Sequence, residues 1–249
     1  MTQPRKQDQK YWDRMAARWD AEIFNTLEQD KRQVIAAELK RSSAHAKSIA
    51  DFGCGIGIYF PLLSQLFDRV VGFERSRACV QIAKRRYRAY PNVAVYPSTA
   101  VGDRRHTFDV ALCVNVAMHP SLRGRLTVLR ALRALLVPRG KLLLVLPSLE
   151  SATMVARAER EMRAKRGETG IGDWDVESHP RGVVGIEGVP YKHYTKRELR
   201  ATLESLGFSV SRIRRVEYSW SSQDVRPGSK FRGKLPWDWI AVGTRGLSS

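Results

Sequence analysis

The stretch "SIADFGCGIGIYFPLL", residues 48–63, decides the reading of this chain. A short apolar run ends in an acid, Asp51, and is followed by glycines at 53, 55 and 57 before helical spacing begins. A dinucleotide-binding turn has Gly-x-Gly-x-x-Gly, in which the third glycine lets helix and strand close around a pyrophosphate. Counted from Gly53 and Gly55, that third position is Ile58. The acid two residues before the first glycine would repel a pyrophosphate and suits a ligand with an ammonium group.

Working outward, strands and helices alternate. "RVVGFERS" (69–76) reads as a second strand ending in the acid Glu74, "SRACVQIAKRRYRAY" (76–90) as a helix and "NVAVYPS" (92–98) as a third strand. "TFDVALCVNV" (107–116) is a buried fourth strand. A helix closed by Pro138 and Gly140 follows, and then a fifth strand, "KLLLVLPS" (141–148). This rhythm predicts a parallel sheet covered on both faces, with ligands at the carboxyl ends of its strands. Upstream, residues 11–41 carry Trp12, Met15, Trp19, Ile23 and Leu27 at spacings of three and four, an amphipathic helical brace or lid. Downstream come a charged helix and the Gly- and Pro-containing segment 169–194, an excursion of the kind that covers a site. A capped helix (195–207) and two final strands, antiparallel neighbours, complete the chain. The expected division is an N-terminal helical brace at 1–47 and an α/β domain at 48–249 with an inserted lid at about 150–195.

The totals narrow the class. Hydrophobic residues make up 43% and charged residues 27% of 249, and no run approaches the roughly 18 apolar residues of a membrane helix. The polar start "MTQPRKQDQKYWDR" lacks the apolar centre of a secretion signal, so the cytoplasm is the expected location. Cys54, Cys79 and Cys113 form no Cys-x-x-Cys pair, which argues against a disulfide framework or a zinc site. The net charge of +18 is spread along the chain, as expected of a basic surface rather than a concentrated nucleic-acid groove.

Asp-x-Gly-x-Gly-x-Gly after the first strand, with Glu74 at the end of the second, resembles the class I S-adenosylmethionine-dependent methyltransferases. The resemblance runs from "YWDRMAARWD" (11–20) through residues 108–148 to "HYTKRELRATLESLGFSV" (193–210). It implies a Rossmann-like, seven-stranded, mostly parallel sheet with helices on both faces and the last strand antiparallel. It also implies S-adenosylmethionine as the methyl donor, with Gly53, Cys54 and Gly55 approached closely by its methionine portion and Asp51 meeting the amino group. Glu74, 23 residues after Asp51, would accept from the ribose hydroxyls, beside Arg75. Read on their own, Asp51 could be a helix cap and Glu74 a solvated strand end; together they favour a ligand. Where relatives often carry an adenine-facing acid, this chain has Ser98, Thr99 and Ala100, with Thr99 as the substitute. Asn115 and Val116, ending the fourth strand, would line the adenosine and the transfer centre; Asn115 could equally satisfy a strand end.

The expected reaction is in-line transfer of the methyl group to a small organic molecule. His119 in "MHP", and His193 with Tyr191 and Tyr194 in "VPYKHY", are candidates to position or deprotonate the nucleophile, with loop packing as the plainer reading of each; Tyr218 and Trp220 join them. Trp174, Tyr191 and Tyr194 would give an apolar wall. An RNA-modifying methyltransferase, favoured by the charge and by "KRRYR" (84–88) and "RIRR" (212–215), is the alternative, and a non-catalytic cofactor-binding protein a third. The fourth strand ends "NVAMHP", without the Asn-or-Asp-Pro-Pro-aromatic signature of enzymes that methylate base amino groups. No metal and no membrane contact are expected, and the chain would act as a monomer or homodimer.

Overall fold

The computed structural model describes residues 9–169, 172–177, 181–186 and 189–247. Residues 1–8 of the expected brace, and 170, 171, 178–180, 187 and 188 of the excursion, lie outside them. The stretch expected as one helix over 11–41 is instead broken into α1 (Gln9–Met15), a 3-10 turn (Ala16–Arg18), α2 (Trp19–Glu22), α3 (Thr26–Gln29) and α4 (Val34–Ser43). The breaks have identifiable causes. The Asn25 side chain accepts from Leu27 N and Glu28 N, both at 3.2 Å, and so starts α3. Asp30 Oδ2 accepts from Ile35 N at 2.8 Å, while Gln33 adopts a left-handed φ of 52° ahead of α4. Short polar side chains that bond the nearby backbone compete with helix continuation, and apolar spacing that runs through the breaks hides them.

From residue 48 the expected alternation holds: β1 (Ser48–Phe52), α5 (Phe60–Leu66), β2 (Arg69–Glu74), α6 (Arg77–Arg86), β3 (Val93–Pro97), a 3-10 segment (Ser98–Arg104), β4 (Phe108–Val114), α7 (Leu122–Leu135) and β5 (Leu136–Pro147). After α8 (Leu149–Lys165) the excursion forms its own antiparallel sheet of β6 (Trp174–Asp175), β7 (Val183–Ile186) and β8 (Val189–Lys192). The chain then returns through α9 (Lys196–Ser205), β9 (Phe208–Glu217) and β10 (Trp237–Arg245). The main sheet has seven strands in the order β3-β2-β1-β4-β5-β10-β9. β10 runs antiparallel to both neighbours, and the pairings among β1 to β5 are parallel.

Period-two alternation puts the two sides of the central strands into two cores. Ala111, Cys113, Leu142, Leu144 and Leu146 join the side covered by α7 and α9, while Val110, Leu112, Leu143 and Val145 join the side covered by α4 and α5. Pro138 and Gly140, expected to close a helix, lie inside β5, because α7 already ends at Leu135. Their segment is irregular: Arg139 has φ 64°, and the pairing with β4 shifts between Phe108 and Val110.

The return from the excursion is pinned at the carboxyl edge of this sheet. Lys192 N donates to Met118 O (2.8 Å), Tyr194 N to Pro147 O (2.9 Å), and the buried Tyr194 hydroxyl to Ala117 O (2.9 Å). Lys192, 1% exposed, sends its ammonium to Arg181 O and Glu198 Oε2, each at 2.7 Å. Replacing Tyr194 by Phe removes one buried donor and leaves the Ala117 carbonyl unpaired, so we expect a loss of about 1 to 2 kcal/mol in urea denaturation. A loss below a few tenths would show that this hydroxyl does not pin the segment.

Candidate functional site

The bend after β1 is held open by geometry that only glycine tolerates. Gly53, Gly55 and Gly57 have φ of 77°, 56° and 87°, in the left-handed region. A Cβ at Gly53 would run into Val116, one at Gly55 into the Trp19 ring, and one at Gly57 into Phe60 and Tyr87. The backbone amides of the bend turn toward β2: Gly53 N donates to Phe73 O at 2.7 Å, and Gly55 N to Glu74 Oε2 at 3.0 Å. Glu74 Oε1 takes two more amides, from Arg75 N (2.7 Å) and Ser76 N (2.8 Å).

Both acids of the bend are withdrawn from bulk water, Asp51 at 2% and Glu74 at 8% exposure. Burial, and then the charge of Glu74, push Asp51 up to about 8. Its Oδ2 is buried with no hydrogen-bond partner. Burial also raises Glu74, opposed by its three amide donors. The site therefore holds two acids that oppose each other's ionisation; the Arg75 charge favours ionised Glu74, whereas no cation acts on Asp51.

The N-terminal segment is fastened over this bend. Asp13 Oδ1 accepts from the Ser76 hydroxyl at 2.6 Å and from Ala78 N at 3.2 Å, which holds the carboxylate below its ordinary range. Trp12 and Trp19 pack with ring centroids 5.7 Å apart, and Trp19 covers Gly55. The expected role of Trp12 and Trp19 as an apolar stripe is thus joined by a second: they roof the glycine bend.

Of the other residues read from the sequence, Cys54 is buried and its thiol is raised by desolvation. Arg75 and Thr99 are exposed, Thr99 in the 3-10 segment after β3. Asn115 ends β4 in a left-handed conformation (φ 54°), which Asn accepts more readily than most residues, and Val116 packs on Gly53.

Beside the bend, at the carboxyl ends of β4 and β5, lies a cavity of about 380 Å³. Asn115 and Met118 line it from the β4 end, Pro147, Ser148 and Ser151 from β5 and α8, and Glu22 and Phe24 from the N-terminal segment. The excursion contributes Trp174, Ile186, Tyr191 and His193; Tyr218, Trp237 and Asp238 come from the ends of β9 and β10. Glu159, 4% exposed, sets the Trp174 wall by accepting from Asp173 N (2.8 Å) and Trp174 N (3.1 Å).

The structure thus brings together His193, Tyr191, Trp174 and Tyr218, and leaves three candidates outside the lining. His119 Nδ1 bonds the Ser121 amide and hydroxyl, and its ring packs on Gly124. Tyr194 is spent on Ala117 O, and Trp220 donates to Lys234 O while packing on Phe231. His193, 2% exposed, is driven down to about 4 by burial. Its Nδ1 faces the Tyr191 carbonyl at 3.2 Å and must carry the proton, so the neutral ring keeps its lone pair on Nε2.

Asp238 escaped the sequence reading, which took "WDWIAVGTR" only as a strand. Its Oδ2 accepts from the Tyr218 hydroxyl (2.9 Å) and the Asn115 amide (3.2 Å), and burial raises the carboxyl to about 6. The available signal was an acid between two tryptophans in an otherwise apolar strand. Among the described residues no group of His, Cys, Asp and Glu could hold a metal ion, and no helix is long and apolar enough to cross a membrane.

A family model described as a methyltransferase domain matches residues 11–213. The chain belongs to this family. It is a class I, S-adenosylmethionine-dependent methyltransferase, and S-adenosylmethionine is its cofactor. Similar solved structures share the fold at low identity. A DhpI–SAH complex has a TM-score of 0.59 at 17% identity, covering 98% of this chain and 97% of that one. The N-methyltransferase NodS from Bradyrhizobium japonicum WM9, in complex with S-adenosyl-L-homocysteine, has a TM-score of 0.59 at 11% identity, covering 95% and 97%. The PH0226 protein from Pyrococcus horikoshii OT3 has a TM-score of 0.58 at 19% identity, covering 97% and 94%. No curated protein sequence matches the chain.

The raised Asp51 has a testable consequence. Between its ordinary value of 3.8 and about 8, the folded carboxyl holds a proton that the unfolded one has released. Its contribution to stability therefore falls as pH rises through that window. In the absence of ligand, Asp51→Asn should gain on the wild type in urea denaturation between pH 5 and pH 8. A difference that does not move with pH would mean that Asp51 is not the burdened acid.

Proposed function

We propose that this methyltransferase acts on a small organic molecule held in the cavity at the ends of β4, β5, β9 and β10. One observation carries this reading. Among the described residues no Lys or Arg lines the cavity, although the sequence has 43 of them; the lining is aromatic, apolar and neutral polar apart from Glu22 and Asp238. A phosphate backbone is recognised through cations, and such walls suit a small ligand with an apolar body. The basic residues of "KRRYR" and "RIRR" are exposed or partly exposed and lie outside the lining, where they favour solubility.

We assign the cofactor to the bend between β1 and β2. The orphaned, buried Asp51 beside a side-chain-free turn fits the ammonium of its methionine portion, which would supply the missing cation. Glu74 fits the ribose, with a restriction that the sequence did not reveal. Three of the roughly four acceptor sites on a carboxylate are already used by Gly55, Arg75 and Ser76, so it serves about one ribose hydroxyl while the Gly55 bond is kept. Gly53, Cys54, Gly55, Asn115 and Val116 complete the near wall; the exposed Thr99 and Arg75 belong to its outer rim. When bound, S-adenosylmethionine supplies an electrophilic methyl on a sulfonium.

The chain's own part is to hold and dry the acceptor. Glu22 and Phe24 from the N-terminal segment, and Trp174, Tyr191 and His193 from the excursion, border the cavity and serve as the covers that exclude water once the acceptor is bound. His193, neutral at physiological pH, accepts a hydrogen bond or a proton from the acceptor through Nε2. His119 has no part in this reading.

Mass spectrometry tests the acceptor class. Purified protein, cell extract and donor with a deuterium-labelled methyl should place the label in the low-molecular-weight fraction. Label in RNA, with RNA binding that falls steeply as salt rises, would overturn the reading. For His193→Gln we expect kcat lower by about 10²-fold with cofactor affinity unchanged. An unchanged kcat would remove His193 from the reaction.

A further inference from the structure

We infer that Asp238 is an anchor for an ammonium group, and that the acceptor is therefore an organic amine with an aromatic or apolar body. This deepens the small-molecule reading above and rests on it.

Asp238 carries a charge that no cation among the described residues pairs with. Asp238 opens β10, opposite Pro147 on one side and Val216 on the other, at the floor of the cavity. Both hydrogen bonds it receives, from Tyr218 and Asn115, converge on Oδ2. Oδ1 takes none, and Asp238 forms no ion pair among the described residues. Arg215, which stacks on the rings of the flanking Trp237 (4.1 Å) and Trp239 (5.9 Å), does not line the cavity. Burial lifts the carboxyl only to about 6, so it is ionised at neutral pH. Asp238 is partly exposed to the cavity, and a ligand that seals its ionised carboxylate off from water leaves a costly charge unless a cation or further donors meet it. Here the two neutral donors fix its position and leave its charge unmatched.

The walls point the same way. Trp174, Tyr191, Tyr218 and Trp237 surround the cavity, and indole and phenol faces attract cations that have left water. Glu22 at the rim is the other charged lining residue, paired at 3.5 Å with the exposed Arg18. A carboxylate or phosphate ligand would meet, among the described lining residues, two acids and no cation. A neutral alcohol would leave Asp238 unmatched. Trp237, 8% exposed, adds a second requirement, because its buried indole N–H has no partner. An amine that also presents an oxygen acceptor satisfies both groups. A nitrogen held as ammonium has no lone pair, so this contact orients the acceptor and does not activate it.

Three probes that share a ring and a phenol oxygen isolate the charge: tyramine, 4-(2-hydroxyethyl)phenol and 4-hydroxyphenylacetate. Calorimetry is run first with S-adenosylhomocysteine alone and then, in its presence, with each probe. We expect tyramine to bind at least about tenfold more tightly than the alcohol and the carboxylate not to bind, as a buried charge pair requires. In Asp238→Asn, tyramine should fall to the level of the alcohol while the heat from S-adenosylhomocysteine persists. Equal or tighter binding of the alcohol or the carboxylate overturns the inference, as does tyramine preference retained in Asp238→Asn, or no probe binding at all. Should that variant fail to fold, the wild-type ranking of the three probes still decides. No heat from S-adenosylhomocysteine would instead strike the cofactor assignment, so the two failures read differently.

Discussion

The site depends on one carboxylate whose acceptor sites are mostly taken by backbone amides. Glu74 gathers amides from two loops, Gly55 from the bend after β1, and Arg75 and Ser76 from the entrance to α6. These bonds fix the distance between the ends of neighbouring strands, and with it the width of the cradle. Each amide, left unmet in a buried position, would cost about 1 to 3 kcal/mol. Glu74 is therefore structural, in addition to the ligand role proposed for it, and at 8% exposure it is not the solvated strand end that was the alternative to a ligand. Asp51, one strand over, is the opposite case: it receives no bond at Oδ2 and carries its burial uncompensated. One acid defines the cradle and the other leaves it polarised toward a cation.

The parallel half of the fold was legible because its signals are local. Glycines at 53, 55 and 57 report left-handed backbone directly, and the strand-helix rhythm from 48 to 148 follows from period-two and period-3.6 burial. What escaped depends on contacts between distant segments. Asn25 and Asp30 divide a continuous apolar stripe into short helices, and the competition between side chain and backbone leaves no trace in spacing. Pro138 and Gly140 look like a helix stop, yet the turn they make is absorbed by an irregular strand start.

The cavity was legible only in part, for a related reason. "VPYKHY" announces aromatic and imidazole groups, and the structure keeps Tyr191 and His193 at the cavity while turning Tyr194 inward to Ala117. Asp238 gives a weak signal, because its partners Asn115 and Tyr218 lie 123 and 20 residues away in sequence. No local pattern brings those three together; the sheet order does.

That order has a consequence for how such a chain can diversify. Because β10 is inserted antiparallel between β5 and β9, the start of one strand and the end of another share the same rim, joined by the connection at 218–236. The glycine cradle is built from β1 and β2, on the other side of β4. On the proposed assignment, the methyl donor and the acceptor are met mainly by different strand ends of one sheet, with Asn115 common to both. On that assignment, a change confined to the β9–β10 hairpin alters one wall of the acceptor cavity and leaves the glycine bend untouched.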